Sequence, residues 1–257
     1  MKLKVQLTPP ERLEKEMLHR WPTLDGYTAH MRELKESWPE WCYVPMSVSL
    51  ALATYGADEA FAKLYLEQIG TDNIYKLSAI IPWRIEKRIY IFDRTFSRQI
   101  QRPHLDADKL ISALPNIPAP CVYISEPPGL DECQGVFCFL ESQKDRPDTM
   151  EVRLHYLFED DTIVALYAVL NPGRPVIFKG SDEQNKSKVW LCKESAITHM
   201  TMLLYLCDDN PDIVRYNPRN RTIDKGGLKV AAYPDIYRVG FEIGGALRKK
   251  ATEELKK

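Results

Sequence analysis

Between Cys121 and Leu170 the chain reads as a series of strands, and this stretch constrains the fold more than any other. Four apolar runs, at 121–125, 135–140, 151–158 and 162–170, follow one another across short polar links. In the third, Val152, Leu154, Tyr156 and Phe158 alternate with Arg153 and His155. Glu159-Asp160-Asp161 is a three-residue polar turn between two such runs, the mark of a hairpin. Parallel neighbours need long crossovers, so short links predict an antiparallel meander.

Helical patterns lie on both sides. Thr8-Pro9-Pro10-Glu11 reads as a capping box with Pro at the first helical position, and Leu13, Met17 and Trp21 follow at four-residue spacing. Trp21-Pro22-Thr23 breaks that helix, and Leu24, Tyr27, Met31, Leu34 and Trp38 stripe a second. Residues 1–41 are thus expected to form a helical hairpin, with 42–257 as the α+β core. Its apolar stripe either docks on that core, the commoner case, or offers a groove to a partner.

Further helices are expected from Pro45 to Gly56, from Asp58 through Ile69, near 73–81, and after His104-Leu-Asp106. Pro82 is expected to open an extended stretch through 89–92. After a polar loop at 179–188, Ile197, Met200, Leu204 and Cys207 stripe another helix, which Asn210-Pro211 stops. Residues 215–229 are basic and turn-rich. Ile236, Val239, Ile243 and Leu247 predict one last helix, with Gly240 and Gly244 a turn apart where a neighbour approaches closely. The fold class is α+β: a central antiparallel β-meander flanked by N-terminal and C-terminal helices.

No catalytic or metal-binding constellation emerges. The five histidines form no H-x-x-x-H or H-E-x-x-H pair, and none stands at ligand spacing from a cysteine. The six cysteines lack C-x-x-C spacing and mostly sit in apolar runs, as small hydrophobes do. Cys42, beside Trp38-Pro-Glu-Trp41, is the one thiol near an irregular segment, and inert burial is its commoner reading. There is no Gly-rich phosphate loop, no apolar run of membrane-spanning length and no N-terminal h-region. The expectation is a cytoplasmic binding protein: not an enzyme, without metal, cofactor, small-molecule substrate or membrane partner.

A net charge of −1 means that contact with nucleic acid has to come from a local patch. Two stretches qualify. Residues 83–102 interleave Arg84, Arg88 and Arg94 with Trp83, Tyr90, Phe92 and Phe96, and residues 215–229 contain Arg219 and Arg221. They read either as half-buried strands with a charged wet face or as an RNA-binding surface.

Several short motifs resemble the type V-A anti-CRISPR family that acts on production of the effector nuclease. They are Tyr43-Val-Pro45-Met46, Pro118-Ala-Pro-Cys121-Val-Tyr123, Gly135-Val-Phe137, the apolar Leu203–Cys207 run followed by Asn210-Pro211-Asp212-Ile213, and Tyr237-Arg-Val-Gly240-Phe-Glu-Ile-Gly244-Gly245-Ala-Leu-Arg248. In order they span about residues 42 to 250. Longer members continue into a basic tail; here the end holds Arg248, Lys249, Lys250, Lys256 and Lys257. The resemblance implies recognition of the N-terminal segment of the CRISPR effector polypeptide during synthesis, in association with the ribosome, leading to loss of the message. Tyr43, Met46, Tyr237 and Arg248, the polar-tipped or adaptable members of the matched motifs, are the expected peptide contacts. An RNA-binding regulator is the alternative.

Overall fold

The computed structural model describes residues 7–33, 38–45, 59–100, 105–125, 132–143, 146–180, 186–217 and 220–254. The chain begins as its sequence predicts. Helix α1 (Pro9–Arg20) starts behind Thr8, whose backbone N–H donates to the Glu11 carboxylate at 2.8 Å. Helix α2 (Leu24–Glu33) follows the Trp21-Pro22-Thr23 break. Leu13, Met17 and Leu24 are buried against Leu77, Ile80, Ile81 and Trp83, so this stripe docks on the body of the protein. The expected helix from Pro45 to Gly56 lies almost wholly outside the described residues.

Residues 59–86 correct the sequence reading. Two helices and an extended stretch opening at Pro82 were expected; instead one helix, α3 (Glu59–Glu86), runs through Gly70 and Pro82. Proline withholds one N–H from the helix. Burial of Ile80, Ile81 and Trp83 on the sheet holds the last turns in place against that loss. Lys87, at φ +49°, then turns the chain into β1 (Arg88–Phe92).

Helix α4 (Arg94–Gln99) and helix α5 (Ala107–Ala113) are each capped by an aspartate side chain, Asp93 and Asp106. The expected meander follows as β2 (Cys121–Ser125), β3 (Cys133–Gln143), β4 (Arg146–Phe158) and β5 (Ile163–Val169), every neighbour antiparallel. Beyond β5 lie β6 (Lys179–Gly180) and helix α6 (Lys186–Leu206).

The C-terminal part corrects the sequence reading again. The single helix expected from Ile236 to Leu247 is a strand, β10 (Asp235–Val239), and a helix, α7 (Phe241–Glu254). Gly240, at φ +70°, makes the joint. The 3/4 spacing misled because the helical run was joined to a strand whose apolar residues happen to fall in phase. Before β10 come β7 (Ile213–Arg215) and a hairpin of β8 (Thr222–Lys225) and β9 (Leu228–Ala231).

The sheet order is β6-β5-β4-β3-β2-β1-β10-β7. It is mostly antiparallel, but β1 pairs in parallel with both β2 and β10. Apolar clusters lie on its two faces. One buries Val122, Cys138, Leu154 and Leu166 with α5 and α6; the other buries Tyr123, Phe137 and Leu157 with α1, α2 and α3. No described helix is long and apolar enough to cross a membrane.

Candidate functional site

Two of the sequence motifs converge where β1, α4, β10 and α7 meet. The Asp93 carboxylate accepts from the N–H groups of Thr95 and Phe96 at 2.9 and 3.0 Å, closing the N-terminus of α4. Arg248 Nη1 donates to the same carboxylate at 2.8 and 2.9 Å. Burial works to raise the Asp93 pKa, but the N–H of Phe96 and the Arg248 guanidinium outweigh it and leave it below the usual carboxylate range.

Glycine is required at two places here. A Cβ on Gly244 would land inside the Asp93 carboxylate, and one on Gly240 inside the Phe96 ring. Asp212 caps α7 from across the chain: its Oδ2 accepts from the N–H groups of Glu242 and Ile243 at 3.1 and 3.2 Å. The Gly-x-x-x-Gly spacing and the Asn-Pro-Asp-Ile motif thus build a rigid corner that fixes the last strands of the sheet.

That corner presents an open surface. Across β1, β10 and β7 the register aligns Ile91, Arg238 and Val214, which therefore share one face. Nearer the meander this face is roofed by helices. At the β7 end it is not: Val214 is 53% exposed and Ile91 37%. The Arg238 guanidinium lies over the Tyr216 ring at 4.0 Å and the Phe241 ring at 5.3 Å. No described strand lies beyond β7. Gly240 N–H bonds Asp212 O and Tyr216 N–H bonds Ile236 O, so the Ile213 main chain between them turns toward the outer edge.

The residues expected to be functional do not form one cluster. Tyr237 is half-buried, stacked on Tyr90 with ring centroids 5.1 Å apart, and Arg248 is held by Asp93. Tyr43 packs against the core on the opposite face, under the Arg32 guanidinium. Met46 and Arg219 lie outside the described residues.

The expectation of a nucleic-acid contact at Arg84 is corrected. Arg84 is 2% exposed, pairs with Glu14 at 2.8 Å and with Asp25, and lies beside Lys87, which pairs with Glu14 at 2.6 Å. A charge so buried needs its carboxylates and has none of its surface to offer. Arg88 pairs with Glu86 and lies 5.9 Å from the Tyr237 ring. Arg94 and Arg221 are exposed.

Val214, Tyr216, Tyr233, Arg238 and Phe241 were not singled out by sequence. Aromatic residues interleaved with cations between 215 and 241 were the available signal, and the false helix over 236–247 hid it. Among the described residues no group of three His, Cys, Asp or Glu side chains is placed to hold a metal. Cys42 is fully buried, and burial pushes the Cys121 thiol well up and the Cys207 thiol to about 11.

Residues 90–256 match the model of the AcrVA2-like family, described as the anti-CRISPR type V subtype A2 family. No curated protein sequence matches the chain. The fold is similar to that in the crystal structure of AcrVA2, with a TM-score of 0.67 and 18% sequence identity over 96% of this chain and 89% of that one.

Proposed function

The chain belongs to the anti-CRISPR type V subtype A2 family, and from that premise we propose that it lowers production of a type V-A CRISPR effector in the bacterial cytoplasm. In this reading it recognises the N-terminal segment of the effector polypeptide as it leaves the ribosome, and the message is lost as a consequence. It acts by binding rather than by chemistry of its own.

The observation that carries the reading is the open end of the sheet at β7. An extended peptide could add there as a further strand. Main-chain hydrogen bonds would supply affinity, and Val214 and Ile91 would take apolar side chains on the uncovered face. This places the contacts differently from the expected set, because Tyr237 and Arg248 are already engaged in holding the corner.

The test is calorimetry with synthetic effector N-terminal peptides. The parent protein should bind one of them, and Val214→Gln should weaken it with little change in thermal midpoint. Equal binding by parent and variant would remove β7 as the site.

A further inference from the structure

The strands leading to and from the β8–β9 hairpin form one long ribbon. Its base is β7 with β10; its tip, at Gly226-Gly227, rests on Gly26 and Ala29 of α2. Between base and tip two asparagines, Asn217 and Asn220, reach across from one side to the other. Asn217 Nδ2 donates to Pro234 O at 2.6 Å and its Oδ1 accepts from Ile236 N–H at 2.8 Å. Asn220 Oδ1 accepts from Tyr233 N–H at 3.0 Å.

Its residues are strongly basic. Residues 213–241 hold six basic residues (Arg215, Arg219, Arg221, Lys225, Lys229 and Arg238) against Asp224 and Asp235, a surplus of four positive charges in a chain of net charge −1. Asp235 is already paired with Arg215. None of Arg221, Lys225, Lys229 or Arg238 meets a carboxylate among the described residues, whereas Arg84, Arg153 and Lys76 each do.

Three exposed rings lie among these cations: Tyr216 (61%), Tyr233 (57%) and Phe241 (37%). Each has a guanidinium near its face, Arg238 for Tyr216 and Phe241, and Arg221 at 5.8 Å for Tyr233. Large rings left in water, with cations beside them, are what unpaired bases and phosphates require.

We propose that this ribbon is a binding surface for single-stranded RNA, with bases stacking on Tyr216 and Tyr233 and phosphates meeting Arg221 and Arg238, the cations that lie beside those rings. The site is separate from the peptide reading except at Arg238: peptide would take the β7 edge with Val214 and Ile91, and RNA the rings. A protein placed on a nascent chain would then also hold an exposed stretch of message.

The test is fluorescence anisotropy of the full chain with a short labelled single-stranded RNA, with single-stranded DNA and duplex RNA as further arms. Single-stranded RNA should bind more tightly than duplex, and affinity should fall linearly with salt on logarithmic axes. Tyr216→Ala and Tyr233→Ala should each lose about tenfold or more, while the Phe variants keep affinity, since stacking needs the ring and not the hydroxyl. Arg221→Gln should flatten the salt slope. Val214→Gln should leave RNA binding intact, which separates this site from the peptide site. Absence of binding at low salt, equal affinity for duplex, or unchanged affinity in both Ala variants would each overturn the proposal. Single-stranded DNA bound as tightly as RNA would overturn its assignment to RNA.

Discussion

Gly244 shows how one missing side chain organises a corner. Asp93 needs room for three donors, and a Cβ at 244 would occupy it. Gly244→Leu should therefore cost about 1–3 kcal/mol, as overpacking does, read as a lowered urea midpoint. The sequence shows that the Gly-x-x-x-Gly spacing implies a close neighbour, but not that the neighbour is a carboxylate 151 positions earlier rather than a helix. The Asp93 pKa gives a second prediction. It is depressed in the folded state, so its contribution to stability is present above the ordinary carboxylate pKa of about 4 and is lost as pH falls through the lower folded value. Asp93→Asn should be less stable than the parent at neutral pH, and the gap should narrow in acid; denaturation midpoints across pH would show a constant gap if the Asp93 charge played no part.

Among the elements, local chemistry was legible and long-range pairing was not. The capping box at Thr8, the helix after Asp106 and the four meander strands depend on residues near in sequence, and all appear where the pattern places them. The β1–β10 pairing joins residues 88–92 to 235–239, and nothing local in either segment announces the other. A helical period running from β10 into α7 concealed it further. The site suffered most, since its open face exists only once β1, β10 and β7 lie side by side. Helix α7 supplies a prediction at this scale. Asp212 supplies acceptors for its first N–H groups from outside the helix, so Asp212→Ala should cost about 1 kcal/mol, the usual value of a lost cap. Hydrogen exchange should report it as faster exchange at Glu242 and Ile243, whereas protection equal to the parent's would mean the cap is dispensable.

For the molecule as a whole, the division is between an acidic, helix-roofed body and an open, basic, aromatic end. The family match covers residues 90–256, which include that end. If function resides in binding there, no thiol should be needed, and Cys42→Ala should retain activity against effector production with at most a small loss of stability; a folded but inactive variant would instead point to chemistry at Cys42. The most direct measurement uses paired reporters in a translating cell, one message carrying the coding segment for the effector N-terminus and one lacking it, set beside calorimetry with the corresponding peptide. The account predicts that the peptide binds, and that the level of the message carrying the segment falls while the other holds. No peptide binding, with both messages falling equally or neither falling, would contradict it.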